Sequence, residues 1–140
     1  MANSTFKLSV VSPERLVLST EVEQAQVPGK NGYLGILPDH ASMMTELDIG
    51  ELSYRQGDRT GYLSVSWGYC EVSSDQVIVL AERAELAEEV DLERAQASME
   101  RARKRLSNLQ DPDIDFLRSR TSLQRALIRV QVSRKVGGNG

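Results

Sequence analysis

The sequence predicts a chain of two parts: short strands that close into a sandwich or barrel, then a helical tail folded as an antiparallel hairpin. Three observations carry this. Up to about Ala84 apolar and polar residues alternate; after it the apolar residues recur every third or fourth position, the change of period that separates strand from helix. From Glu88 to Gln110 there is no Gly or Pro. The charge also divides: residues 1–86 hold 6 Lys/Arg against 12 Asp/Glu, a net of −6, and residues 87–140 hold 11 against 8, a net of +3.

In order along the chain, Phe6, Leu8 and Val10 alternate with polar residues and begin the first strand. Turn signals follow at Ser12-Pro13, Pro28-Gly29, Gly57-Asp58 and Ser74-Asp75. Leu63, Val65 and Trp67 alternate again, and Val77 and Val79 alternate against Ile78 and Leu80, so Ser74-Asp75 reads as a hairpin turn. Many short strands with regular turns predict a sandwich or barrel. In the tail, Leu92, Ala95, Met99, Ala102, Leu106 and Leu109 form one seam at heptad spacing. Asp111-Pro112 ends that helix, and Asp111 is placed to cap the next with Pro112 at its first position. Asp113 and Asp115 favour that N-terminus electrostatically. Phe116, Leu123, Ala126 or Leu127, and Val130 supply the second helix's apolar face, and the final Gly137-Gly138-Asn139-Gly140 should fray.

Two of the six seam positions on the first helix are alanine. An alanine methyl contributes about 0.8 kcal/mol, against roughly 1.5–3 kcal/mol for a buried Leu or Met. Such a hairpin is marginal unless it docks on something, which leaves two readings: a movable element, or a tail packed permanently against the strands.

Composition narrows the chemistry. The chain has 140 residues, 40% apolar and 26% charged, with a net charge of −3. No apolar run approaches the roughly 20 residues of a membrane span, and no basic start with an apolar stretch marks a signal peptide. Cys70 is the only cysteine, so no internal disulfide or multi-cysteine zinc site forms; it reads as a small core residue.

The stretch "VPGKNGYLGILPDHAS" holds Gly29, Gly32 and Gly35, followed by Leu37, Pro38 and His40, the chain's only histidine. A P-loop needs Gly-Lys-Ser/Thr opening a helix, and Gly35 is followed by Ile36 and Leu37 instead. The spacing Gly-x-x-Gly-x-x-Gly is not the dinucleotide fingerprint either. The glycines read as turn and close-approach positions. A lone His40 gives neither a zinc site nor a histidine-based triad partner set, and Asp39 could cap a short turn at Ala41. No residue set in the front half has the spacing of a catalytic centre, and neither a catalytic nor a metal-ligating residue is expected.

Taken whole, "VPGKNGYLGILPDHA" resembles the Gly-x-x-Gly-x-x-Gly-x-Leu-Pro-x-His-Ala segment of the epsilon subunit of rotary ATP synthases. "FKLSVVSPERLVLS" resembles that family's opening strand and Pro-Glu turn, and "LSVSWGYCEVSSDQVIVLAERAE" its run into the helical tail. One departure is Ser42, where the family often has Pro. The resemblance implies a β-sandwich of about ten strands over 1–86 and a regulatory helical hairpin over 87–140. It implies a non-catalytic central-stalk subunit of a proton- or sodium-translocating ATP synthase. The sandwich would bind the gamma subunit and the c-ring, and the extended tail would reach the beta and alpha subunits of the catalytic head and inhibit ATP hydrolysis. The place implied is the cytoplasmic face of the bacterial plasma membrane, held there only through the complex.

Arginines stripe both helices: Arg94, Arg101 and Arg105, then Arg118, Arg125 and Arg129, each set spaced 7 and 4. Spacing alone leaves two readings, solvated faces paired with Asp91, Glu93 and Glu100, or a phosphate clamp, since guanidinium groups hold phosphate oxygens bidentately. Some bacterial members of the family bind ATP through Ile/Leu-Asp-x-x-Arg-Ala, which "VDLERA" at 90–95 resembles, with Val90 for the larger aliphatic. By that resemblance Glu85, Val90, Asp91 and Ala95 lie near base and ribose, and Arg94, Arg101, Arg125 and Arg129 hold the phosphates. No cofactor is required; ATP, with or without magnesium, enters as a regulatory ligand. The alternative function is a nucleic-acid-binding adaptor with a basic hairpin, against which stand the acidic whole and the single tail aromatic, Phe116.

Overall fold

The computed structural model describes residues 4–108, 111–112 and 115–136. Leu109 and Asp113, placed above in the first seam and the second N-terminus, and the glycine-rich end from 137 lie outside the described residues. Seven strands come first: β1 (Phe6–Val11), β2 (Leu16–Val22), β3 (Gln24–Gly29), β4 (Gly32–Ile36), β5 (Met43–Gln56), β6 (Arg59–Val72) and β7 (Gln76–Leu86). They form one sheet in the order β2-β1-β7-β6-β5-β3-β4. Only β1 and β7 pair in parallel, and the hairpin at Ser74-Asp75 joins β6 to β7.

The strand count is seven rather than ten because β5, β6 and β7 each run on through the level where the sheet bends. The burial phase marks that level. On β6, Leu63 and Val65 are buried, then Cys70 and Val72; on β7, Val77, Val79 and Ala81 are buried, then Ala84 and Leu86 pack on the core. On β5, Leu47 precedes Leu52. Inward residues change from odd to even numbers in all three strands. The ladders skip the pairs Asp48 with Trp67 and Trp67 with Glu82, although the register is the same on either side. Trp67 and Gly68 carry the bend with φ of 52° and 121°. A one-residue change of phase exchanges the two faces of a strand, so both halves of the bent sheet enclose one core.

Trp67 is therefore not a core partner of Leu63 and Val65, as the alternation predicts; it is 36% exposed on the other face. Gly68 admits no side chain: a Cβ there would overlap the Leu80 carbonyl oxygen. Cys70 is wholly buried, and burial pushes its thiol pKa up to about 12.

After β7 come a 3-10 turn (Ala87–Glu89), α1 (Leu92–Ser107) and α2 (Phe116–Ser133). Asp91 caps α1, its carboxylate accepting from the Arg94 amide at 3.2 Å. The first helix stops at Ser107, before the expected Gln110. The cap of α2 is Asp115, accepting from the Arg118 amide at 3.0 Å, not Asp111. The Asp111 amide donates to the Asn108 carbonyl at 3.3 Å.

Ala95 and Ala102 are buried on α1, whose main packing partner is α2. On α2, Ser119, Ala126 and Val130 are buried along one side, and Val132 is buried on another. Val132 and Ile128 pack with Tyr62, Ala87 and Val90, so α2 joins the tail to the strands. Phe116, expected on the apolar face, is 52% exposed, and at the alternative Ala126 or Leu127 it is Ala126 that is buried. Among the described residues no helix is long and apolar enough to cross a membrane.

Candidate functional site

The seam between strands and tail begins with strand geometry. Register places Ser66 opposite Arg83, and Ser64 opposite both Glu85 and Glu51. Alternate residues share a face, so Ser64 and Ser66 lie on the side of Tyr62 that meets α2. Both serines are buried, and their small side chains let a helix approach closely. Glu85 and Glu51 flank this floor. Arg129 of α2 donates twice to Glu85, at 2.9 and 3.3 Å. The Lys135 ammonium lies 2.9 Å from a Glu51 carboxylate oxygen and 4.9 Å from the Tyr62 ring centroid. Gln131 donates to Glu51 at 3.2 Å. A third tie runs the other way: Arg15, in the β1–β2 turn, donates to Glu89 at 2.7 Å. That bond, with one from the Leu86 amide, holds the Glu89 carboxyl below its ordinary range.

Against the seam opens a cavity of about 580 Å³, lined by Glu85, Glu89, Asp91, Arg94, Ala97, Ser98, Arg101 and Arg129. A second, of about 280 Å³, shares Glu85, Ser98 and Arg129 and adds Arg83, Ser122, Arg125 and Ala126. Six of the eight residues that the resemblance points to thus line a groove made of these two neighbouring cavities: Glu85, Asp91, Arg94, Arg101 and Arg129 the larger, Arg125 with Glu85 and Arg129 the smaller. Val90 and Ala95 do not line it. Val90 packs toward Tyr62 and Val132, and Ala95 is fully buried on α1.

The two arginine stripes do not simply face each other. Arg101 donates to Ser98 at 3.0 Å, Arg129 meets Glu85, and the Arg125 guanidinium lies 5.7 Å from the centroid of the Trp67 ring. Arg125 is held below the usual arginine range, first by burial and then by Arg83 and Arg118. Of the pairings weighed from spacing, Glu100 takes Arg103 at 3.3 Å, and Asp91 serves as the cap of α1. Glu89, Ser98 and Arg83 were missed in the sequence. Helical spacing places Ser98 four residues after Arg94, and strand alternation places Arg83 with Glu85; Glu89 had no such signal.

The glycine-rich loop lies elsewhere. Gly32, with φ of 127°, turns the β3–β4 hairpin. A Cβ on Gly29 would meet the Gly32 carbonyl oxygen at 2.7 Å, whereas one on Gly35 meets nothing within 4 Å. Leu37 is exposed. Pro38 and Asp39 form a turn, and no helical turn follows at Ala41. The Asp39 amide donates to the Ser74 carbonyl at 3.0 Å, tying this loop to the turn before β7. His40 Nδ1 lies 2.8 Å from the Ala41 carbonyl oxygen, so Nδ1 carries a proton. One end of the loop thus lies beside the start of β7, while the Tyr33 hydroxyl accepts from the Glu51 amide at 3.3 Å. Among the described residues no three His, Cys, Asp or Glu side chains gather as metal ligands.

Residues 5–87 match the family described as ATP synthase, Delta/Epsilon chain, beta-sandwich domain, and residues 88–134 match its long alpha-helix domain. The chain belongs to the ATP synthase delta/epsilon family. An ATP synthase epsilon chain of Syntrophotalea carbinolica is 45% identical over 96% of this chain and 97% of its own length. An epsilon chain of Koribacter versatilis is 53% identical over 73% of this chain and 72% of its own. Among solved structures, a chain of the Euglena gracilis mitochondrial ATP synthase superposes with a TM-score of 0.74 at 20% identity, covering 96% of this chain and 83% of that one. A likeness at that identity concerns the fold. The two matched domains correspond to the bent sandwich and the helical hairpin that meet at the seam in this chain.

Proposed function

We propose that this chain is the non-catalytic epsilon subunit of the central stalk in a rotary ATP synthase, with its helical tail as a brake on ATP hydrolysis. The sandwich binds the gamma subunit and the c-ring, and through them the chain sits peripherally on the membrane, at the cytoplasmic face in a bacterium. The observation that carries the brake is the seam. The tail meets the strands through one small apolar cluster, Tyr62, Ala87 and Val132, and three part-exposed ion pairs. Such contacts are individually worth little in water, so undocking is an accessible motion.

The groove supports a nucleotide as the ligand that favours the docked form. Glu85, Glu89 and Asp91 offer acceptors for amino and hydroxyl groups, and Arg94, Arg101 and Arg129 offer donors for phosphates. Because both α1 and α2 contribute, a ligand bridging them binds the folded hairpin better than an extended one. Only that difference in affinity shifts the balance.

The test is hydrolysis by the assembled head with the full chain and with residues 88–140 removed. The expected result is faster hydrolysis without the tail; an unchanged rate rejects the brake. Isothermal titration with MgATP tests the ligand. Heat that is lost in Arg125→Ala and Arg129→Ala supports the site, and no heat at millimolar nucleotide rejects it.

A further inference from the structure

Arg83 stands on β7 two residues before Glu85, so both side chains share the face that meets α2. It lines the smaller cavity with Ser98 of α1 and with Ser122, Arg125 and Arg129 of α2. Glu85 neutralises Arg129. Among the described residues no carboxylate lies within ion-pair distance of Arg83 or Arg125. Arg125 rests instead on the Trp67 ring. A cation of the strands thus confronts a cation of the tail across the seam, with two hydroxyls beside them, and docking works against their repulsion. An anion between them converts that repulsion into attraction from both sides.

We propose that the smaller cavity is a phosphate site in which Arg83 is the sandwich's own ligand, so that a polyphosphate held there ties β7 to α2. This rests on the nucleotide reading only for the ligand's identity; the anion site stands on the arginines. Terminal phosphates of a nucleoside triphosphate and free polyphosphate share the required chemistry. Ser98 and Ser122 donate to remaining oxygens, and Trp67 keeps the Arg125 guanidinium in place. The balance of charge distinguishes this pocket, where Arg83, Arg125 and Arg129 meet Glu85 alone, from the larger one, where three arginines meet three carboxylates.

The experiment uses the full chain as wild type, Arg83→Gln and Arg83→Lys, with MgATP, AMP and tripolyphosphate as probes, read by isothermal titration and thermal unfolding. Arg83→Gln should weaken MgATP and tripolyphosphate about tenfold and leave AMP within about twofold. Arg83→Lys should recover most of the loss. Without ligand, Arg83→Gln should raise Tm, because repulsion with Arg125 is removed; a merely structural arginine would lower it. Equal binding of MgATP and tripolyphosphate by wild type and Arg83→Gln overturns the proposal and leaves the nucleotide groove standing. A lower ligand-free Tm with equal losses for all three probes also overturns it. Arg83-dependent binding of tripolyphosphate with no binding of MgATP keeps the anion site and rejects the nucleotide reading. If wild type binds neither, both fail.

Discussion

At Gly68 one missing side chain decides whether the three long strands can bend together. A Cβ there would overlap the Leu80 carbonyl oxygen, and φ of 121° is already in glycine territory. Gly68→Ala should destabilise the body by about 3 kcal/mol, from strain and overpacking together, as a lower urea midpoint. Gly35→Ala is the contrast. Nothing lies within 4 Å of its added methyl, so the isolated chain should change by less than about 0.5 kcal/mol. Sequence alone treats these glycines alike; the neighbouring strand separates them. Cys70 gives a third test. Its pKa rises from 9.0 to about 12 through burial, so the folded chain should resist alkylation at pH 8 and react on unfolding. The unfolded thiol ionises first as pH climbs, so stability should fall between pH 9 and about 12.

Among the elements, α2 carries most of the consequence. Asp115→Ala removes an observed cap and should cost about 1 kcal/mol, read as earlier loss of helical circular dichroism. The Asp-Pro pair announced a helix boundary; the cap of α2 itself is Asp115. The alanine seam of α1 was legible as well, and Ala95 and Ala102 are both buried. The sandwich-facing side of α2 was not. Val132 belongs to no repeating seam, and its burial requires Tyr62, seventy residues earlier in the chain.

For the whole molecule the division of charge takes physical form at the seam. Glu51 and Glu85 of the body face Lys135 and Arg129 of the tail, and Arg15 reaches Glu89. Added salt should screen these pairs and loosen the tail, seen as faster amide exchange in α2 while β1 and β7 stay protected. Low pH should do the same. Arg15 holds the Glu89 carboxyl below its ordinary 4.5, so that contribution is present above about pH 4.5 and is lost as pH falls through the folded value. A side-chain titration of Glu89 by NMR should move upward in Arg15→Gln.

Local periodicity by itself determined that strands precede helices and that one helix carries an alanine seam. Ordered motifs pointed to the family. Those are properties of residues a few positions apart, set by backbone geometry and the burial of one face. The reversal of core phase at Trp67, the choice of Asp115 as cap, the docking of α2 and the meeting of Arg83 with Arg125 were decided only in three dimensions. Each depends on partners brought together by the bend in the sheet or the closing of the hairpin, and no short-range spacing encodes that.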